Sequence, residues 1–87
     1  MMSMDEFFEA VKRQVEQNRK KWSMVHGHCG NHHNLNDWGR IFVEQSCQLN
    51  IALYKGKAKG IERELLHVGA VLAEMWDRLK LDYETGR

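Results

Sequence analysis

The sequence predicts an all-α fold: a short antiparallel bundle of three main helices, completed by oligomerisation. Three observations carry that expectation. The 87 residues include no proline, which suits uninterrupted helices. Apolar residues recur at helical spacing in three stretches, most clearly from Ile61 to Leu79. No stretch alternates like a strand, and neither an internal repeat nor a low-complexity tract is present.

Ser3 followed by Glu6 reads as a capping box that opens the first helix. Phe8, Val11, Val15 and Trp22 form its apolar stripe, and Lys12, Arg13, Glu16, Arg19 and Lys20 its wet side. The pattern breaks at His26–Asn34, where Gly27, Gly30, Asn31 and Asn34 mark a loop. Asn36 or Asp37 can cap the second helix. Its face is Trp38, Ile41, Phe42, Gln45, Leu49, Ala52 and Leu53, with Glu44 and Cys47 on an adjacent strip. Lys55–Gly60 reads as the hairpin turn. The third helix carries Ile61, Leu65, Val68, Leu72, Met75, Trp76 and Leu79 in one stripe, with Glu64, His67 and Val71 beside it. Residues 81–87 lose the pattern and are expected to fray.

This length makes one domain over residues 1–87, with an unfavourable surface-to-volume ratio that a partner subunit would relieve. Thirteen Lys and Arg nearly balance twelve Asp and Glu, which argues against a general nucleic-acid or membrane binder. No apolar run suffices to span a bilayer or to serve as a signal peptide. Two cysteines do not make a disulfide framework. The default is a soluble, cytoplasmic protein.

Glu44-x-x-Cys47 and Glu64-x-x-His67 carry the chemistry. Residues three apart on a helix share a face, and helix bundles build metal sites from such pairs. Cys47 and His67 are each ten residues from Lys57, the middle of the expected turn, so an antiparallel hairpin sets them at one level. Glu44 and Glu64 then flank that level within roughly 9 Å along the helix axes.

With these segments the chain resembles the MazG-like nucleotide pyrophosphohydrolases, particularly the short versions of phages and mobile elements. The resemblance rests on Phe42-Val43-Glu44-Gln45-Ser46-Cys47-Gln48-Leu49 and on Glu62-Arg63-Glu64-Leu65-Leu66-His67-Val68-Gly69-Ala70-Val71. Gln17, Lys21, Trp22, a His-containing loop and Trp38 add to it, over roughly residues 14–79. It implies a helical hairpin whose carboxylates hold Mg²⁺ or Mn²⁺ against nucleotide phosphates, with water attacking the α-phosphate to release a nucleoside monophosphate and pyrophosphate. Glu44 and Glu64 then take acidic, catalytic positions, while Cys47 stands in place of Glu and His67 in place of Asp. Such a set is softer than Mg²⁺ prefers and suits Zn²⁺ better. The resemblance therefore implies a nucleoside triphosphate pyrophosphohydrolase with a substituted, weakened or inactive metal site.

Other residues have both a chemical and a plain reading. His26, His28, Cys29, His32 and His33 concentrate metal-ligand chemistry in one loop, against the reading of a polar connector. Lys21, Trp22, His33, Trp38 and Lys55 are candidates for substrate binding, against packing for the tryptophans and a solvated turn for the lysine. The rival functions are a non-catalytic homo-oligomeric module that binds a partner protein, and a metal-binding protein using the His/Cys loop. In each case the wide stripes of the second and third helices call for a homodimer or homotetramer.

Overall fold

The computed structural model describes residues 1–26 and 33–84, with side chains for 1–22 and 33–84. Those residues form three helices and no strand: α1 (Met4–His26), α2 (Leu35–Lys55) and α3 (Ala58–Glu84). The all-α, three-helix expectation holds. Among the described residues, no helix is long and apolar enough to cross a membrane.

The helix ends follow from identifiable donors and acceptors. Ser3 N–H donates to Glu6 Oε1 at 3.2 Å, and Glu6 N–H donates to Ser3 Oγ at 3.2 Å. That reciprocal pair is the capping box read from the sequence. The cap of α2 lies two residues before the earliest position expected. Asn34 Oδ1 accepts from Asp37 N–H at 2.8 Å, and Asn34 N–H donates to Asp37 Oδ2 at 3.2 Å. Asp37 is thus the N3 partner of a second capping box, not the cap itself.

At its other end α2 stops on Gly56, whose φ of 71° is left-handed and whose N–H donates to Ala52 C=O at 3.0 Å. The turn is shorter than Lys55–Gly60, because Ala58, Lys59 and Gly60 already belong to α3. The expected fraying from residue 81 is also later than predicted. α3 continues to Glu84, with Arg78 Nε and Asp82 Oδ1 paired at 3.0 Å on its last turns.

α3 is the middle helix. α2 packs along one side of it and α1 along another, while the backbones of α1 and α2 do not approach each other. Gly69 marks the passage of α1: a Cβ there would stand 2.9 Å from Val11 Cγ2 and 3.8 Å from Phe7 Cζ. Lower along the same contact, the guanidinium of Arg19 donates to the buried carboxylate of Glu74, and to Asp77 Oδ2 at 2.7 Å.

Among the described residues few are buried: Val15, Trp38, Ala70 and Val71, with Glu74 as a buried charge. For α3 the expected apolar face holds in part: Ile61, Val68, Met75 and Leu79 of the predicted stripe are half-buried. The most buried strip is Ala70, Val71 and Glu74, whereas Leu65, Leu72 and Trp76 are exposed by 41%, 49% and 61%. On α2, Trp38, Ile41, Phe42, Gln45, Leu49 and Ala52 are buried or half-buried as expected, but Leu53 is exposed. The three helices form an open layer, and one layer covers only part of each apolar surface.

Candidate functional site

The open layer leaves a cleft of about 370 Å³ where the end of α1, the start of α2 and the middle of α3 converge. That volume is in the ordinary range for a small-molecule site. Its walls combine two indoles, two imidazoles and three carboxamides: Trp22 and Trp38, His33 and His67, and Gln14, Asn18 and Gln45. Arg19, Lys21 and Glu74 add charge, and Ile41, Ala70 and Val71 add apolar floor.

The aromatic wall is built around His33. Its ring lies edge-on to Trp22, with centroids 5.7 Å apart at 89°, and to Trp38, at 5.1 Å and 81°. Trp38 is buried and Trp22 is 39% exposed, so the cluster runs from the interior to the rim. His33 Nδ1 also stands 4.0 Å from Asp37 Oδ2. The Asp37 carboxyl titrates below its usual range, chiefly because Asn34 N–H donates to it and then because Arg40 pairs with it. The α2 capping box therefore fixes both the helix start and the anionic partner of the cleft histidine.

Earlier on α1, Gln14 Nε2 donates to Asn18 Oδ1 at 3.0 Å, which orients two amides one turn apart. Glu74 and Asp77 hold the Arg19 guanidinium, and Glu74 is the larger influence in raising its pKa. Two polar atoms of the lining residues are buried without a hydrogen-bond partner among the described residues: Gln45 Oε1 and Arg19 Nε. Buried polar groups are paired as a rule, and an exception calls for an explanation.

A second groove, of about 410 Å³, lies nearer the hairpin turn. Gln48, Ile51, Ala52, Lys55, Lys57, Lys59, Gly60, Arg63 and Glu64 line it. Glu64 Oε1 is 3.5 Å from His67 Nδ1 and 3.9 Å from Arg63 Nε, while Glu64 Oε2 is buried with no hydrogen-bond partner among the described residues.

The residues of α2 that meet Glu64 and His67 differ from those expected. Glu44 and Cys47 are exposed. Instead Gln45 shares the first cleft with His67, and Gln48 shares the second groove with Glu64. The shorter turn explains the register. Gln45 and His67 are each eleven residues from Gly56, and Gln48 and Glu64 are each eight. The α2–α3 seam thus presents Gln45, Gln48, Glu64 and His67, with a single carboxylate. Mg²⁺ wants several hard oxygen ligands, mostly charged, in near-octahedral geometry, and this donor set does not fit it. Among the described residues, no three or more His, Cys, Asp or Glu side chains are grouped to hold a metal.

Of the substrate-binding candidates, Lys21, Trp22, His33 and Trp38 all line the first cleft, and Lys55 lines the second groove. The loop set of His26, His28, Cys29 and His32 lies outside the described side chains. Sequence reasoning passed over Gln14, Asn18, Gln45, Gln48 and Glu74. The available signal was the i, i+3 spacing of Gln45 and Gln48 at the mirror distances of His67 and Glu64 from Gly56.

No family model matches the chain, and neither a curated protein nor a solved structure matches it.

Proposed function

We propose that this protein binds a nucleoside triphosphate, on a scaffold resembling the MazG-like pyrophosphohydrolases, with metal-dependent hydrolysis weakened or lost. The observation that carries the reading is the first cleft, which an aromatic cluster and three carboxamides line together. A flat heterocycle with hydrogen-bonding edges matches both. Trp22, exposed at the rim and backed by His33 and Trp38, offers a ring to a base, and base–aromatic stacking contributes about 1–3 kcal/mol per base. Gln14, Asn18 and Gln45 offer donors and acceptors to the base edge, and a base N–H would satisfy Gln45 Oε1. Lys55, Lys57, Lys59 and Arg63, further along the α2–α3 seam, supply positive charge for phosphates.

The weakened chemistry follows from Gln45 and Gln48. Amides can orient a ligand, but they do not supply the negative charge that gathers hard cations. Glu64 with His67 is left as the one acid–base pair on the seam, and Glu44 and Cys47 take no part in it. The rival reading, a non-catalytic interaction module, draws on the exposed apolar surface of α3.

Tryptophan fluorescence titrated with NTPs and dNTPs tests the proposal, together with pyrophosphate release in Mg²⁺, Mn²⁺ or Zn²⁺. We expect saturable quenching that weakens about tenfold or more in Trp22→Ala, with little pyrophosphate release. Gln45→Glu with Gln48→Glu should raise Mg²⁺-dependent release, whereas Glu44→Ala and Cys47→Ala should leave binding unchanged. No quenching by any nucleotide at millimolar concentration would favour the interaction module.

A further inference from the structure

Building on the nucleotide reading of the first cleft, we infer that its ligand braces α1 to α2, held by Arg19 on one helix and Gln45 on the other. The base of that nucleotide carries a lactam edge, an N–H beside a carbonyl, and the two residues read it. α1 and α2 each pack on α3, and their backbones do not approach each other. Both helices nonetheless line the cleft, α1 with Arg19 and α2 with Gln45. A ligand there can join two elements that the chain leaves apart.

Each of the two residues holds one polar atom in reserve. Gln45 Oε1 is a buried acceptor and Arg19 Nε a buried donor, and neither has a hydrogen-bond partner among the described residues. Nη2 of the same guanidinium donates to Glu74 and Asp77, which anchors the group at the cleft. A buried donor or acceptor left unpaired costs its full desolvation penalty. Two of them at one cleft, one on each flanking helix, call for a common partner. Neither atom meets solvent as the side chains stand, and both chains are flexible enough to turn it to a ligand.

An orphaned donor and an orphaned acceptor are satisfied together by an edge that offers an acceptor beside a donor. Guanine has such an edge in O6 and N1–H, and uracil or thymine in O4 and N3–H. The carbonyl accepts from Arg19 Nε with the help of the guanidinium charge, and the neighbouring N–H donates to Gln45 Oε1. Adenine and cytosine put an amino group where the lactam has its oxygen, so a donor would face a donor. Gln45 can turn its amide to suit either edge, but arginine has no acceptor to offer. Arg19 therefore makes the choice of base, and Gln45 follows it.

Calorimetric titration of the full chain with GTP, UTP, ATP and CTP tests the brace, beside 1-methyl-GTP and 3-methyl-UTP. GTP and UTP should bind about tenfold or more tighter than ATP and CTP, an advantage that N-methylation removes by leaving polar groups unpaired. Arg19→Lys keeps a cation beside Glu74 but loses the planar Nε–H, and should flatten the base preference. Gln45→Met removes an orphaned amide, so the protein without nucleotide should melt higher yet bind GTP about tenfold more weakly. A folding defect would lower both. In hydrogen exchange, GTP should slow amides of α1 as well as those of α2. If no triphosphate binds, the nucleotide reading fails and the brace with it. If triphosphates bind but all six ligands bind alike, or exchange in α1 stays unchanged, the brace alone is overturned.

Discussion

Glu74 is the residue whose environment most constrains the fold. Its side chain is 7% exposed, and its ionic partner across the helix contact is Arg19 on α1. Removing Arg19 takes one ionic partner from a carboxylate with little access to water. Arg19→Ala should therefore destabilise the protein by about 2 kcal/mol in urea unfolding, less than the ~3–5 kcal/mol of a fully buried pair. The discount arises because Arg19 is 37% exposed and partly screened. Arg19→Met with Glu74→Leu should recover most of the loss, since a buried pair exchanged for apolar groups is often neutral. Asp37 provides the pH counterpart. Its folded-state pKa is depressed, so its contribution is present above the unfolded aspartate value and is lost as pH falls through the folded one. The α2 start should fray only below about pH 4, read by NMR on the Asp37 amide, and Asp37→Asn should remove that step.

At the scale of the element, three glycines separate helix propensity from packing. Gly39 lies inside α2, and a methyl group added there would meet nothing within 4 Å, so Gly39→Ala should stabilise by about 0.5–1 kcal/mol. Gly69 gains the same propensity but meets Val11 Cγ2 at 2.9 Å, and valine cannot swing aside freely. There the overpacking cost of ~1–3 kcal/mol should win, making Gly69→Ala net destabilising until Val11→Ala restores room. Gly56→Ala should cost about 1 kcal/mol through its positive φ alone. Thermal melts of the three variants would give opposite signs for Gly39 and the other two. The same comparison shows what could be read from sequence. The helices were legible because propensity and apolar period are local. The seam was not, because register depends on a turn of two residues, Gly56 and Lys57, inside a run of lysines and glycines that allows several turn lengths. One residue of register exchanges Glu44 and Cys47 for Gln45 and Gln48, and with them the chemistry of the site.

For the whole molecule, the apolar stripe of α3 was legible as a stripe but not as to which side the chain itself would cover. Periodicity marks residues that avoid water; it does not distinguish a helix neighbour in the same chain from one in another. Here Ala70 and Val71, small and β-branched, are buried against the flanking helices, while Leu72 and Trp76 are left exposed. Were copies of the chain to associate, as expected from the sequence, folding would be coupled to association. Stability should rise by about 1.4 kcal/mol of dimer for each tenfold increase in protein concentration, as mass action requires. Calorimetric scans across a hundredfold concentration range should show a climbing Tm in the wild type and a lower, concentration-independent Tm in Leu72→Glu. A wild-type Tm that stays constant while sedimentation reports a dissociating dimer would mean that α1 and α2 stabilise α3 without help.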